Sequence, residues 1–395
     1  MNLFKAFFQS EKSSGFILIG CTVVSLLISN SVVGDSYVSF FQKHIDLSFA
    51  GLHLNHSIAH WINDGLMTVF FLLVGLEIER ELYVGELSSM KKAMLPILAA
   101  AGGMLVPALI HLLFNKGTNT QAGFGIPMAT DIAFALGILS LAGNRIPLSL
   151  KIFLTALAII DDLGAITVIA IFYATDFSLA YSGAAIGIFI LLYTMGRLRV
   201  YRLAFYLIPG IVMWYCMMQS GIHATIAGVL LAFAIPFPKL KVKNNPSWKL
   251  QHALHLPVAF FIMPVFALAN TAIQIPGNAV EGFATTNSLG IMLGLLAGKF
   301  IGIMLFCFVA VKLKLATLAD DIGWKALAGV ALLAGIGFTM SIFIANLAFT
   351  DEAVIIQSKL SVLVASVVAA IGGLMVLSGL KATGLIMAGE KPKSS

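Results

Sequence analysis

Four ionisable residues stand inside long apolar runs, where ionisable groups are rare. Asp161 and Asp162 are consecutive in ALAIIDDLGAIT (156–167), Asp131 follows Thr130, and Lys299 lies in LLAGKFIGIM (295–304). A charge at the centre of a bilayer costs roughly 2.5–3.5 kcal/mol even on the most lenient insertion scale, so each needs a partner or a task. Adjacent helical residues point about 100° apart, so Asp161 and Asp162 cannot both face one partner. One is expected to line a water-filled funnel while the other turns inward. Carboxylates, with hydroxyls, carbonyls and water, suit either protons or a small hard cation. Two ligands that compete for the same oxygens already make an exchange mechanism: protons leave as the ion enters, and the reverse happens on the other side. Lys299 can neutralise an aspartate, most simply Asp162 or Asp131, whenever no ion is bound. No nucleophile–base or metal-ligand constellation accompanies these groups, which argues against an enzyme. Cys21, Cys216 and Cys307 lie singly in apolar runs and read as packing residues.

The elements that hold these charges must cross a membrane. Of 395 residues 59% are apolar and only 11% charged, where a soluble domain carries about 25% charged residues. That composition excludes a soluble globular protein and specifies an all-α polytopic membrane protein. Splitting the apolar runs at charges, Pro and Gly predicts twelve transmembrane helices, over 15–33, 58–83, 94–114, 121–142, 149–174, 180–198, 203–218, 221–235, 252–272, 289–311, 326–349 and 357–382. The formal charge of +6 does not point to nucleic acid, because the 24 Lys and Arg sit in short loops. With both termini in the cytoplasm, 20 of them fall on the inner side and only Lys43, Lys116 and Lys359 on the outer side, with Lys299 inside a span. The first fifteen residues have no small-residue cleavage site. They read as a retained interfacial helix with Phe4, Phe7 and Phe8 on the lipid. In the first outer loop Ile45, Leu47, Phe49, Leu52 and Leu54 alternate around Ala50-Gly51, which predicts a small periplasmic β-hairpin over 44–57, a pairing edge for a second subunit.

Spans three to five (94–174) and ten to twelve (289–382) make two three-helix units seven spans apart, so the second is inverted relative to the first. Each middle span is interrupted, by Gly123, Gly125 and Pro127 before Ala129-Thr130-Asp131, and by Gly335, Gly337, Thr339 and Ser341. Paired broken spans in corresponding positions of two halves are the best pointer in a sequence to a transport site. Half-helix ends carry partial charges, so Asp131 fits near a pair of N-termini and Lys299 near a pair of C-termini. The remaining spans, 15–83 and 180–272, are expected to form an interface panel around this core. Asp64 and His223 read as interfacial residues.

With the Asp161-Asp162 pair, Ala129-Thr130-Asp131, Lys299 and the twelve-span plan in place, the chain resembles the bacterial sodium/proton antiporter family A (NhaA) from the Gly15 span to Lys381. The resemblance implies inverted three-helix repeats with crossed, unwound helices four and eleven. It also implies ion and proton binding by Asp161 and Asp162, assistance from Thr130 and Asp131, and Lys299 as the coupled cation. The activity it implies is electrogenic extrusion of Na⁺ or Li⁺ for protons across the bacterial inner membrane, activated at alkaline pH and serving sodium and pH homeostasis. No cofactor is expected, and the partners are Na⁺, H⁺, the lipid membrane and a second copy joined through the hairpin. The family's pH-sensing region falls on Glu77, Arg80, Glu81, His252 and His255. Glu77 and Glu81 are four apart and His252 and His255 three apart, so each pair shares a helix face. Gln251 stands where an acid is expected before the first histidine. A sodium-coupled organic-anion symporter of the same fold is the alternative. It would be expected to have an intramembrane Arg or several amide and hydroxyl donors, and the spans contain no such Arg.

Overall fold

The computed structural model describes residues 11–48, 54–143, 146–174, 177–237 and 245–379. The expected interfacial helix with Phe4, Phe7 and Phe8, the hairpin tip with Phe49, Ala50, Gly51 and Leu52, and several basic residues expected on the inner side, Arg145, Lys239, Lys241 and Lys243 among them, lie outside the described residues. The chain is predominantly helical. Helix α1 (Glu11–Ser29) turns into α2 (Gly34–Gln42), and strands β1 (His44–Asp46) and β2 (Asn55–Ser57) follow. Then come α3 (Ile58–Tyr83) and α4 (Met90–Asn115), a 3₁₀ half-helix (Gln121–Met128) and its continuation α5 (Ile132–Leu141). Next are α6 (Leu148–Phe172), α7 (Leu179–Arg197), α8 (Ala204–Met218), α9 (Ile226–Ala234) and α10 (Pro246–Asn270). The chain closes with α11 (Thr286–Lys312), α12 (Trp324–Leu333), α13 (Phe338–Ala348) and α14 (Glu352–Ser378).

Among the described residues seven helices are long and apolar enough to cross a bilayer, or ten if each of three bent pairs counts as one span. Two of the bent pairs are the interrupted spans: the 3₁₀ half-helix meets α5 at 40°, and α12 meets α13 at 44°. Helices α8, with 15 residues, and α9, with nine, are shorter than the seven long ones. Each of the twelve expected ranges overlaps a helix or a bent pair, while length and apolarity alone support seven to ten crossings.

Caps explain several of the boundaries. Asn245 precedes Pro246 and accepts from Ser247 N at 3.0 Å and Trp248 N at 3.3 Å, starting α10. Asp351 accepts from Ala353 N at 2.9 Å to start α14. Pro96 and Pro107 do not end α4, which carries both within one helix. Membrane helices tolerate proline in their interior, and α11 lies close along α4. A Cβ on Gly102 would stand 2.3 Å from Gly302 O, and one on Gly302 2.1 Å from Gly102 O, so only glycine permits this approach of α4 and α11. The antiparallel β pair has the register His44↔Ser57, Ile45↔His56 and Asp46↔Asn55. Apolar side chains on α7 such as Ile186 and Ile190 are exposed, as a lipid-facing helix requires.

Candidate functional site at the crossing of two broken helices

The two interrupted spans are broken because Ala129 and Asp131 are extended and α12 ends at Leu333, capped by Ala334. The freed backbone groups bond across the gap. Asp131 N donates to Ile336 O at 2.7 Å, which joins the two unwound segments, and Ser341 Oγ of α13 donates to Ile126 O of the 3₁₀ half-helix at 2.6 Å. Asp131 caps α5 by accepting from Phe134 N at 2.9 Å, and its other oxygen accepts from Thr339 N at 3.1 Å and from the Thr339 hydroxyl. One carboxylate therefore serves the positive ends of both α5 and α13.

Asp161, Asp162, Thr130, Asp131 and Lys299 are all buried at the crossing. Lys299 Nζ donates to Asp161 Oδ2 and, at 2.8 Å, to Thr130 Oγ1. The Thr130 hydroxyl lies 2.7 Å from Asp161 Oδ2 and 2.9 Å from Ala334 O, at the carbonyl end of α12. Lys299 follows a π turn (Gly294–Gly298) that breaks the regular pitch of α11. The structure corrects one expectation: the ammonium pairs with Asp161, not with Asp162 or Asp131. Asp161 is the member of the adjacent pair whose face looks toward Thr130, while Asp131 is already taken by two helix N-termini. Asp161 Oδ1 and Asp162 Oδ1 are buried without a hydrogen-bond partner. Buried carboxylate oxygens of this kind are costly unless a proton or cation satisfies them. The side-chain acceptors gathered beside Lys299, the Asp161 and Asp162 carboxylates and the Thr130 hydroxyl, are hard oxygens.

At the C-terminal end of α3 the expected cluster is rearranged. Arg80 pairs with Glu81 at 2.9 Å, and Glu77 is hydrogen-bonded to Gln251. His252 is exposed and stacks on Trp248 at 5.2 Å, and His255 is exposed too. Sequence reasoning missed Glu79, which is buried and accepts from Ser247 Oγ at 2.8 Å. It stands two residues from both Glu77 and Glu81, off the face their i, i+4 spacing selects, and the only signal was a third acid in one helical stretch. His223 bonds Tyr173 O at 2.8 Å, and Asp64 lies 3.1 Å from His60.

Ionisable groups gathered where two broken membrane helices meet define the secondary transporters as a class. The chain belongs to the Na⁺/H⁺ antiporter 1 family, whose model matches residues 5–377. It is 56% identical over 373 residues to the Na⁺/H⁺ antiporter NhaA of Cytophaga hutchinsonii, with 94% of each chain covered. It is 57% identical over 374 residues to NhaA of Dechloromonas aromatica, again covering 94% of each. Identity to NhaA 1 of Flavobacterium johnsoniae is 54% over 374 residues, covering 95% of this chain and 96% of that one.

Proposed function

We propose that this protein is an electrogenic Na⁺(Li⁺)/H⁺ antiporter of the bacterial inner membrane, extruding sodium for protons and more active at alkaline pH. The observation that carries the reading is the buried Lys299–Asp161–Thr130 cluster beside Asp162, at the crossing stitched by Asp131 and Thr339. Asp161 and Asp162 bind the ion and the protons, and Thr130 and Asp131 hold the unwound segments in place. Lys299 is the coupled cation: it occupies Asp161 when no Na⁺ does and must yield when Na⁺ arrives. The reading includes twelve spans with cytoplasmic termini and an inverted-repeat core of 94–174 and 289–382. The panel of 15–83 and 180–272 surrounds it, and the 44–57 hairpin joins two copies. This family is itself one of the standing examples of such inverted repeats. Membrane lipid and the transported ions are its partners, and no cofactor is called for. Glu77, Arg80, Glu81, His252 and His255 are the candidates for pH regulation, with Glu79 added by its burial.

The test is purified protein in vesicles with an acid-inside pH gradient. Adding Na⁺ or Li⁺ outside should collapse the gradient without any organic solute, and K⁺ should not. A gradient that collapses only when an organic anion accompanies Na⁺ would replace antiport by symport.

A further inference from the structure

We propose that the outer end of the transport core is held shut by an amide latch, Asn63–Asn270–Asn346 with Lys359 at its rim, and that this latch opens in every transport cycle. The inference rests on the antiport reading and on the outward placement of these helix ends. Asn270, in the last turn of α10, is buried and uses all of its side-chain hydrogen-bonding capacity. Its Nδ2 donates to Asn63 Oδ1 at 2.8 Å and to Phe266 O at 3.1 Å. Its Oδ1 accepts from Asn346 Nδ2 at 2.6 Å and from Lys359 Nζ at 3.4 Å. Because the Phe266 carbonyl can only accept and the Lys359 ammonium can only donate, the two together fix which way the Asn270 amide points, and hence the direction of every bond in the chain.

The four residues come from α3, α10, α13 and α14. Two of these helices belong to the panel and two to the core, so the latch crosses the boundary along which the two bodies would move. Beneath it Phe343 of α13 packs on Phe71 of α3 at 5.5 Å and on Phe266 of α10 at 6.4 Å, making an apolar layer across the same seam. Phe266 and Asn270 are four apart and Phe343 and Asn346 three apart, so each pair presents one helix face. Asn346 lies two turns beyond Thr339, about 10 Å along α13 at 1.5 Å per residue. An ion moving between Asp161 and the outside along α13 must part both layers. An amide seam suits a door: water entering the gap replaces each lost hydrogen bond. A wholly apolar seam would instead expose its surface on every opening.

The experiment replaces Cys21, Cys216 and Cys307 with Ala and introduces Asn270→Cys with Asn346→Cys. Hg²⁺ then bridges the two thiols, and dithiothreitol releases them. Na⁺-driven collapse of the pH gradient should fall by about tenfold or more while bridged, as expected when a gating motion is blocked, and recover on release. The single-cysteine variants should be unaffected by the same treatment. A bridged protein, verified by mass, that exchanges at its unbridged rate overturns the latch. If the cysteine-replaced background does not exchange, Asn346→Ala in the native chain decides. Weakening the outer-closed state should raise apparent Na⁺ affinity several-fold at the outer face and lower it at the inner face. Equal changes at both faces, or none, would overturn the latch, since a merely structural role acts on both alike. A native chain silent in the same vesicles overturns the antiport reading and the latch together, whereas a working native chain with undiminished bridged exchange overturns the latch alone.

Discussion

Asp161 and Asp162 are chemically identical and adjacent, yet their surroundings give them different work. Asp161 is committed to Lys299 and Thr130, whereas Asp162 Oδ1 is buried with no partner. Replacing either by Asn keeps the shape and removes both the titratable proton and the charge, so each substitution is expected to abolish Na⁺-driven proton movement. Near-normal exchange by either purified variant would eliminate the proposed site. Stability should separate the two. Asp161→Asn strands a buried ammonium, and breaking a buried pair from one side costs about 3–5 kcal/mol. Asp162→Asn removes a carboxylate charge that no ammonium touches, which spares stability or improves it. Thermal unfolding of the two variants in the same detergent should therefore show a large drop for Asp161→Asn alone. Equal drops would mean that Lys299 is shared between the two aspartates.

The hairpin offers a test at the level of an element. His56 stacks on His60 at 4.2 Å, and His60 contacts Asp64. Burial, helped by the neighbouring His60 and His44 and opposed by Asp64, holds the His56 imidazole below the ordinary histidine range. The folded hairpin thus favours neutral His56. Its contribution is present above the ordinary value near about 6.5 and is lost as pH falls through the lowered one. Amide hydrogen exchange of β1 and β2 should accelerate on acidification relative to α3, and His56→Gln should flatten that dependence. The broken spans were legible in the sequence because apolar run length and Gly or Pro interruptions are local properties. The partner of Lys299 was not, because the facing of Asp161 and Asp162 depends on helix rotation set by packing, and the π turn before Lys299 leaves no mark in Gly294–Gly298. Glu79 escaped for a related reason: a rule of shared faces selects Glu77 and Glu81, and only the docking of α10 with Ser247 draws Glu79 inward.

For the whole molecule the decisive quantities are charge moved and protons displaced. If one Na⁺ exchanges for about two protons, net charge crosses the membrane and the potential contributes roughly 2.3 kcal/mol per 100 mV per charge to extrusion. Turnover should then produce a current on a solid-supported membrane, and an electrically silent exchange would show the stoichiometry to be one for one. Dependence on pH has two separable sources. On the proposed reading protons compete with Na⁺ for Asp161 and Asp162, so apparent Na⁺ affinity should weaken as pH falls. The limiting slope is about tenfold per pH unit for one competing proton and about a hundredfold for two. Regulation from the cluster of Glu77, Arg80, Glu81, His252 and His255 would change the maximal rate at saturating Na⁺ instead. There the geometry favours competition as the larger effect. Gln251, which cannot titrate, bonds Glu77, while His252 stacks on Trp248 and both histidines are exposed. Replacing His252 and His255 together with Gln should leave most of the pH dependence of apparent Na⁺ affinity intact and alter at most the rate at saturation. If that double variant lost its affinity slope with Asp161 and Asp162 untouched, the histidine cluster would be the principal sensor, and competition at the crossing would be the minor effect.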